Sequence, residues 1–363
     1  MRSAAVMTVS AGRRAARPGP SVRDMAEQEH DRHAWERPGA HEVAPGIHRI
    51  PLPLPGDGLK AVNVYAVADG DRLVLIDGGW ALDQAEELLA AAVAAIGYRL
   101  PDIREFLVTH LHRDHYTNAV ALRRRHGASV ALGEGERAGL DAVRTVQVHP
   151  DVARLHEAGA LEMSRMLAEW HGERDLLNWE DPDRWLADGV DVPLETRTLR
   201  VIATPGHTRG HVVFHDPEHA TLFAGDHVLP HITPSIGVEL NRPPSPLRDY
   251  LTSLELIRAL PDARLLPAHG PVTASVHDRI DQLLAHHEER LTATARAVDA
   301  GNSTAFEVTQ ALTWTRRRRR YDELDLFNQI LAVHETMAHL RVLADRGRLA
   351  EATVDGVAHF RRP

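Results

Sequence analysis

Apolar positions form short runs separated by turn residues up to about residue 275, and helical patterns follow. Residues 61–80, AVNVYAVADGDRLVLIDGGW, hold two apolar runs around an Asp-Gly pair, which predicts a β-hairpin. Residues 83–98 have the spacing of an amphipathic helix that ends near Gly97. The segment IREFLVTH, residues 103–110, then predicts a buried strand. This alternation of hairpins and helices favours an α/β sandwich that carries its ligands at strand ends.

Two stretches depart from this alternation. Residues 1–40 are polar, rich in Pro and Gly and aperiodic, which predicts a disordered leader. Residues from about 135 to 190 are helix-prone and contain three tryptophans, Trp170, Trp179 and Trp185. This helical insertion would form a lid over an apolar substrate, or its tryptophans would serve ordinary helix packing.

The helical C-terminal part ends in a predicted short hairpin. We therefore expect a catalytic domain at residues 41–280 and a small helical domain at residues 281–363. No run of about 18 apolar residues occurs, so no membrane span is expected. The first residues lack the apolar segment of a secretory signal, and a cytoplasmic location is expected.

The amino-acid composition excludes several kinds of functional site. The chain has no cysteine, which excludes disulfides, thiolate metal sites and a cysteine nucleophile. Any metal ion must therefore be held by nitrogen and oxygen atoms. The net charge of −9 argues against wide contact with a phosphate backbone, so nucleic acid is not the favoured partner.

Ligand-type side chains crowd the segment that follows the strand predicted at 103–110. They are His110, His112, Asp114 and His115, in the pattern H-x-H-x-D-H. Positions i and i+2 of an extended segment point to the same side, so the first two histidines can reach one ion together. The other two side chains lie where the chain turns into a helix, and they can address a second ion.

Four more segments repeat the arrangement of an apolar strand followed by a small-residue turn with one polar side chain. The polar residues are Asp77 in VLIDGG, His207 in ATPGHTRGH, Asp226 in LFAGDHV and His269 in LLPAHGPV. A single such residue is as consistent with a solvent-facing turn as with a ligand. The ordered set favours one site built at several strand ends.

Taken together, these residues resemble the metallo-β-lactamase fold hydrolase superfamily over roughly residues 41–275. The resemblance implies an αββα sandwich, here with a helical insertion and a small C-terminal helical, winged-helix-like domain. It implies one metal ion on His110, His112 and His207 and another on Asp114, His115 and His269. Asp226 would bridge the two ions, and Asp77 would support the site from behind.

The ligand types then indicate the reaction. Imidazole and carboxylate suit Zn²⁺, Fe and Mn²⁺, and we expect two divalent ions, with Zn²⁺ ranked first. Two ions about 3.5–4 Å apart can hold a bridging hydroxide and polarise a carbonyl or phosphoryl oxygen. A metal-bound water with a pKa near 7 supplies a nucleophile at neutral pH. Asp114 is the candidate to orient the water or to pass a proton to the leaving group.

Family resemblance also orders the substrates. An aspartate at the position of Asp226 is similar to the glyoxalase-II and nuclease side of the superfamily, whereas lactam hydrolases generally lack it. The C-terminal segments HETMAHLRVLADRGRLA and DGVAHFRRP resemble the winged-helix-like domain of the β-lactamase-like protein 2 group. That group includes a ribonuclease and thioester-cleaving enzymes of polyketide pathways.

We therefore expect a metallo-hydrolase that cleaves an acyl bond of a small-molecule substrate, a thioester of CoA or a carrier protein, or a related ester. The alternative is an endoribonuclease or phosphodiesterase, which the basic run Arg316 to Arg320 favours and the acidic body opposes. Lactonase or β-lactamase activity and a non-catalytic metal-binding regulator rank below both. A homodimer remains open.

Overall fold

The computed structural model describes residues 33–56, 58–147, 149–169, 176–315 and 317–363. Most of the predicted leader, residues 1–32, lies outside the described residues, as does Trp170. Within the described parts, two β-sheets pack face to face and helices cover both outer faces. This is the predicted α/β sandwich. None of the described helices combines the length and the apolar character that a membrane crossing requires.

The first sheet contains seven strands in sequence order. They are β1 (His41–Ala44), β2 (Ile47–Pro53), β3 (Ala61–Asp69), β4 (Arg72–Ile76), β5 (Ile103–Val108), β6 (Ser129–Gly133) and β7 (Arg184–Leu186). Strands β1 to β4 are antiparallel, and β4 to β7 run parallel. The hairpin predicted at 61–80 is β3 and β4.

The second sheet has five strands in the order β12-β11-β10-β9-β8. They are β8 (Asp191–Pro193), β9 (Thr198–Ala203), β10 (Val212–Asp216), β11 (Thr221–Gly225) and β12 (Arg264–Pro267). Strand β10 is antiparallel to both β9 and β11, and β11 is parallel to β12. Strands β9, β11 and β12 therefore run in one direction, and their carboxyl ends share one edge of the sheet.

Nine helices and a terminal hairpin complete the described parts of the chain. The helices are α1 (Asp83–Ala95), α2 (Arg113–His126), α3 (Arg137–Thr145), α4 (Asp151–Glu157), α5 (Leu161–Ala168), α6 (Pro246–Arg258), α7 (Val276–Asp299), α8 (Ala305–Ala311) and α9 (Leu326–Asp345). Strands β13 (Ala350–Val354) and β14 (Val357–Arg361) form the predicted hairpin. Helix α1 ends just before Gly97, which has a φ of +92°. That conformation suits the glycine at a helix end.

Alternating side chains give the sandwich three apolar layers. In β3, Tyr65 and Val67 point between the two sheets, whereas Val62 and Val64 pack under the helices on the outer face. The second sheet alternates in the same way. Because both faces of both sheets are buried, the strands are held rigidly and fix the direction in which their ends leave the sheet.

Among its described residues, the insertion is helical as far as Ala168. It contains α3, α4 and α5, but residues 184–186 form β7 at the edge of the first sheet. The ring of Trp179 stacks on Tyr116 with centroids 6.4 Å apart, and the Arg137 guanidinium lies 4.3 Å from the ring centroid of Trp185. Both tryptophans pack against the outer core of the first sheet. The contacts of these two tryptophans are packing contacts, and the lid over an apolar substrate stays a prediction.

The C-terminal helices share a core with the second sheet. Leu291 of α7, Leu340 of α9 and Phe360 of β14 belong to the same buried cluster as Val213 of β10 and Leu254 of α6. The predicted boundary between residues 280 and 281 falls inside α7, which continues without a break. The domain boundaries and the winged-helix-like description stay predictions, while the helical C-terminal region is present.

Candidate metal centre

All seven predicted ligand side chains follow the carboxyl ends of four strands. His110 and His112 lie just after β5, and Asp114 and His115 occupy the first turn of α2. The other three follow one strand each: His207 after β9, Asp226 after β11 and His269 after β12. The structure brings these seven side chains together, although they are spread over 160 positions of the sequence (269 − 110 + 1).

Four of the side chains form a first group, whose ligand atoms all lie within 4.8 Å of one another. Nδ1 of His112 lies 3.0 Å from Nε2 of His110 and 3.1 Å from Nε2 of His207. Oδ2 of Asp226 lies 3.3 Å from Nε2 of His207 and 4.0 Å from Nε2 of His110. Zn–N bonds of about 2.0–2.1 Å in a tetrahedral site place neighbouring ligand atoms about 3.3 Å apart, close to these separations.

Asp114, His115 and His269 form the second group. Oδ2 of Asp114 lies 3.6 Å from Nε2 of His115 and 3.5 Å from Nε2 of His269. Oδ1 of Asp226 lies 3.3 Å from Nε2 of His269 and 3.8 Å from Nε2 of His115. Asp226 therefore directs one oxygen to each group, which is the placement that a bridging carboxylate requires.

Hydrogen bonds fix which ring nitrogen faces the centre in three of the histidines. Nδ1 of His207 donates to the Ser235 carbonyl at 2.8 Å, and Nδ1 of His269 donates to the Ala61 carbonyl at 2.8 Å. Nδ1 of His115 donates to Asp77 at 2.9 Å. Because the proton is held on Nδ1, Nε2 carries the lone pair that a metal ion needs.

Charge in the centre is also arranged for a cation. Burial and then the nearby His207 lower the pKa of His112 to about 3, so this imidazole is neutral and can act as a ligand. Burial alone would lower the pKa of His115, but the carboxylates of Asp77, Asp114 and Asp226 outweigh it and raise that pKa to about 10. The carboxylates thus favour a positive charge at this position, and metal binding here would displace a proton.

The residues present fit two metal ions. Nε2 of His115, Nε2 of His269 and Oδ1 of Asp226 are buried and have no hydrogen-bond partner within the described parts of the chain. Buried polar atoms are normally paired, so three orphaned atoms that face one point indicate a missing partner. Nitrogen and carboxylate oxygen suit Zn²⁺, Fe and Mn²⁺ and do not select among them.

Metal removal is expected to destabilise the fold. Each ion that binds only the folded chain adds about 2.7 kcal/mol to the free energy of unfolding at 100 times its Kd. Thermal unfolding should therefore occur at a lower temperature with a chelator and recover on addition of Zn²⁺, Mn²⁺ or Fe²⁺. Ca²⁺, which prefers oxygen ligands, is the control and should give no recovery. A melting temperature that is the same with chelator and with each metal would contradict the predicted centre.

Asp77 lies directly behind both ligand groups. Its Oδ1 accepts hydrogen bonds from the backbone N–H of Thr109 at 2.8 Å and from the hydroxyl of Thr109 at 3.0 Å. The Thr109 oxygen also lies 3.0 Å from Nδ1 of His110, so it can pass the orientation on to that ring. Together with the bond to His115, these contacts give Asp77 the supporting position predicted for it.

Further residues support the ligand-bearing turns, and Asn63 among them was not predicted from the sequence. Asn63 donates to the carbonyls of Pro267 and Gly270 at 2.9 and 2.8 Å, which brackets the turn that carries His269. The backbone N–H of Asp226 donates to Nε2 of His211 at 3.2 Å. An asparagine inside the apolar strand β3 was the one visible signal, because an unpaired polar group there would be costly.

Comparison with known proteins agrees with the geometry. The family model of the metallo-beta-lactamase superfamily matches residues 57–269, which is more than half of the chain and includes all seven side chains. A metallo-beta-lactamase family protein from Thermus thermophilus superposes with a TM-score of 0.71 and is 28% identical. The alignment covers 89% of this chain and 100% of that structure.

Two curated relatives are similar to this chain over part of its length. A beta-lactamase-like protein 2 homolog of Caenorhabditis elegans is 25% identical over 232 residues, which are 64% of this chain and 63% of the relative. An atrochrysone carboxyl ACP thioesterase of Aspergillus fumigatus is 26% identical over 256 residues, which are 70% of this chain and 65% of the relative. The chain thus spans somewhat less than two thirds of the length of either relative.

Proposed function

Because the chain belongs to the metallo-beta-lactamase superfamily, we propose that it is a two-metal hydrolase that cleaves a thioester of CoA or of a carrier protein. The observation that carries the proposal is the position of Asp226, whose two oxygens face two separate ligand groups. A two-metal hydrolase needs no nucleophilic side chain. That agrees with a chain that has no cysteine.

The two ligand groups would divide the work of binding. His110, His112 and His207 would hold one ion, and Asp114, His115 and His269 would hold the other, with Asp226 shared. When bound, the ions would lower the pKa of a water molecule and polarise the substrate carbonyl. The protein's own part is to turn the Nε2 atoms of three ligand histidines toward the ions, which the hydrogen bonds from their Nδ1 atoms to Asp77, Ser235 and Ala61 achieve.

Asp114 is the carboxylate that we assign to proton handling. Its side chain is 17% exposed, compared with 9% for Asp226, so it is the one of the two that has better access to solvent. Its Oδ2 lies within 3.6 Å of two ligand nitrogens, close to where a reacting water would be held. From this place it can orient the water and return a proton to the solvent or to the leaving group.

A thioester substrate suits a site with a single proton-handling carboxylate. A thiolate leaves as the conjugate base of an acid with a pKa of about 8.5, so its departure makes little demand on a general acid. The carrier-protein thioesterase among the relatives supports the same substrate class.

A ribonuclease activity is the second candidate. It is favoured by the resemblance of the C-terminal segments to the β-lactamase-like protein 2 group and by the exposed arginines Arg317 to Arg320, while Arg316 lies outside the described residues. Part of this basic charge is already neutralised, because Arg320 forms two hydrogen bonds to Asp322 at 3.1 and 3.2 Å. The acidic net charge of −9 further opposes binding of a polyanion.

A substrate panel on metal-loaded protein tests the proposal. We expect turnover of acyl-CoA and acyl-carrier-protein thioesters, measured as the release of free thiol. Aryl esters should be turned over more slowly. A single-stranded RNA is included in the same panel. Cleavage of the RNA without cleavage of any thioester would overturn the proposal in favour of the nuclease. A metal-loaded chain that acts on no member of the panel would also contradict it.

A further inference from the structure

Glu136 is a buried carboxylate that connects two ligand-bearing loops. It lies between β6 and α3 and is 1% exposed. Its Oε1 accepts a hydrogen bond from the backbone N–H of Leu111 at 3.3 Å and another from the hydroxyl of Thr208. Leu111 lies between His110 and His112, and Thr208 follows His207 directly. One oxygen atom thus holds a loop of the first sheet against a turn of the second.

We propose that Glu136 is a positioning residue that sets the separation of His112 and His207 and thereby shapes the first metal site. These two histidines come from different sheets, yet their facing nitrogens lie 3.1 Å apart. The inference rests on the proposed metal centre and extends it to a residue outside the ligand set. It concerns the first group only, since other contacts hold the second.

Glycines around Glu136 show how closely the two loops approach each other. A Cβ atom on Gly210 would lie 2.0 Å from the backbone nitrogen of Glu136, and one on Gly133 would lie 2.4 Å from the carbonyl oxygen of Gly210. No side chain fits between these backbones, so the two loops are in direct contact. The Glu136 carboxyl therefore has a fixed position from which to hold both of its partners.

Burial of the Glu136 carboxyl also has a desolvation cost in free energy. Burial raises its pKa to about 7, although the hydrogen bonds from Thr208 and Leu111 oppose the rise. An apolar side chain of similar size would fill the same space without this desolvation cost. The two hydrogen bonds that the carboxyl accepts offset this cost, and both come from residues next to ligands.

The second ligand group depends on other residues. Asp77 holds His115, and the Ala61 carbonyl together with Asn63 holds His269 and its turn. Loss of Glu136 should therefore weaken one metal site and spare the other. A residue that merely stabilises the fold would affect both sites alike.

Titration of the metal-free protein with Zn²⁺ and with Co²⁺ tests the inference, with metal affinity and the Co²⁺ absorption spectrum as readouts. Glu136→Ala is expected to weaken one of the two sites by about 10- to 100-fold, the usual effect of removing a residue that supports a ligand. Glu136→Gln, which keeps an oxygen acceptor, should stay close to the wild type. Thr208→Val should mimic Glu136→Ala, while Thr208→Ser should not.

The two disruptive substitutions should also be non-additive, since both remove the same link. Asp216→Asn is the matched control, because Asp216 is a fully buried acid on β10 that pairs with Arg197 at 3.1 Å, away from the ligands. It should lower stability and leave both metal affinities unchanged. If Glu136→Ala does not fold, Thr208→Val carries the same comparison.

Two results would overturn the inference. One is a Glu136→Ala or Thr208→Val chain that binds both ions with wild-type affinity. The other is an equal loss at both sites. Failure of the proposed metal centre looks different, because the wild-type chain itself would then bind fewer than two ions, and failure of the thioesterase assignment would appear only in the substrate panel. Two ions in the wild type with no selective loss in the variants would remove only the role of Glu136.

Discussion

Asp226→Asn is expected to abolish hydrolysis and to leave the purified chain with fewer than two metal ions. Asp226 is the one predicted ligand whose atoms face both groups, with Oδ2 3.3 Å from His207 and Oδ1 3.3 Å from His269. Asparagine removes the negative charge and replaces one oxygen by an N–H donor that repels a cation. The loss of activity should exceed about 100-fold, the upper end for residues that only support a ligand.

Metal analysis and turnover of the best thioester from the substrate panel measure this effect. Asp191→Asn is the matched control, because Asp191 is an exposed aspartate paired with Arg200 on the second sheet. It should bind two ions and retain full activity. Circular dichroism would show whether the folded state of each variant persists. An Asp226→Asn chain with two bound ions and wild-type turnover would contradict the assignment of Asp226.

Asp77→Asn is expected to impair the second metal site without unfolding the chain. Asparagine has one acceptor oxygen, whereas Asp77 accepts from the Thr109 backbone N–H and from Nδ1 of His115. The backbone N–H of Thr109 stays a donor and takes the one oxygen of the asparagine. The His115 ring can instead move its proton to Nε2, so that its Nδ1 accepts from the N–H of the new amide. The proton would then occupy the atom that faces the centre, so metal affinity there should fall about 10- to 100-fold.

Asp77→Ala provides the contrast. The backbone of Asp77 has a φ of +64°, a conformation that asparagine tolerates better than alanine does. Alanine also leaves the buried donors of Thr109 and His115 without an acceptor, at about 1–3 kcal/mol each. Chemical denaturation should therefore separate the two variants, with a large loss of stability for alanine and a small one for asparagine. Equal metal affinity in Asp77→Asn and the wild type would show that Asp77 does not orient His115.

The candidate ligands could be found from the sequence because all of them follow an apolar run that forms a buried strand. Four crowd the segment after one strand, and each of the other three lies in a small-residue turn after its own strand. That pattern needs no knowledge of distant contacts, and the strands β5, β9, β11 and β12 form where the runs predict them. The separation into two groups came from the family resemblance, and the observed distances match it.

The supporting residues could not be predicted in this way, because their partners are distant in sequence. The sequence does not distinguish Glu136 from its neighbour Glu134. In the folded chain, Glu136 accepts a hydrogen bond from Thr208, and this distant contact sets it apart. The short strand β7 was overlooked for a related reason. Three residues carry too little periodicity to predict a strand, and it forms by pairing with β6.

The core that joins the C-terminal helices to the second sheet limits which C-terminal segments this chain could carry. Leu291, Leu340 and Phe360 cover apolar side chains that belong to the catalytic half, such as Leu254. An exchange of the last 83 residues, 281–363, for an unrelated module would leave that surface facing a partner with a different shape. Such an exchange is therefore expected to lower stability unless the new module reproduces the shared packing.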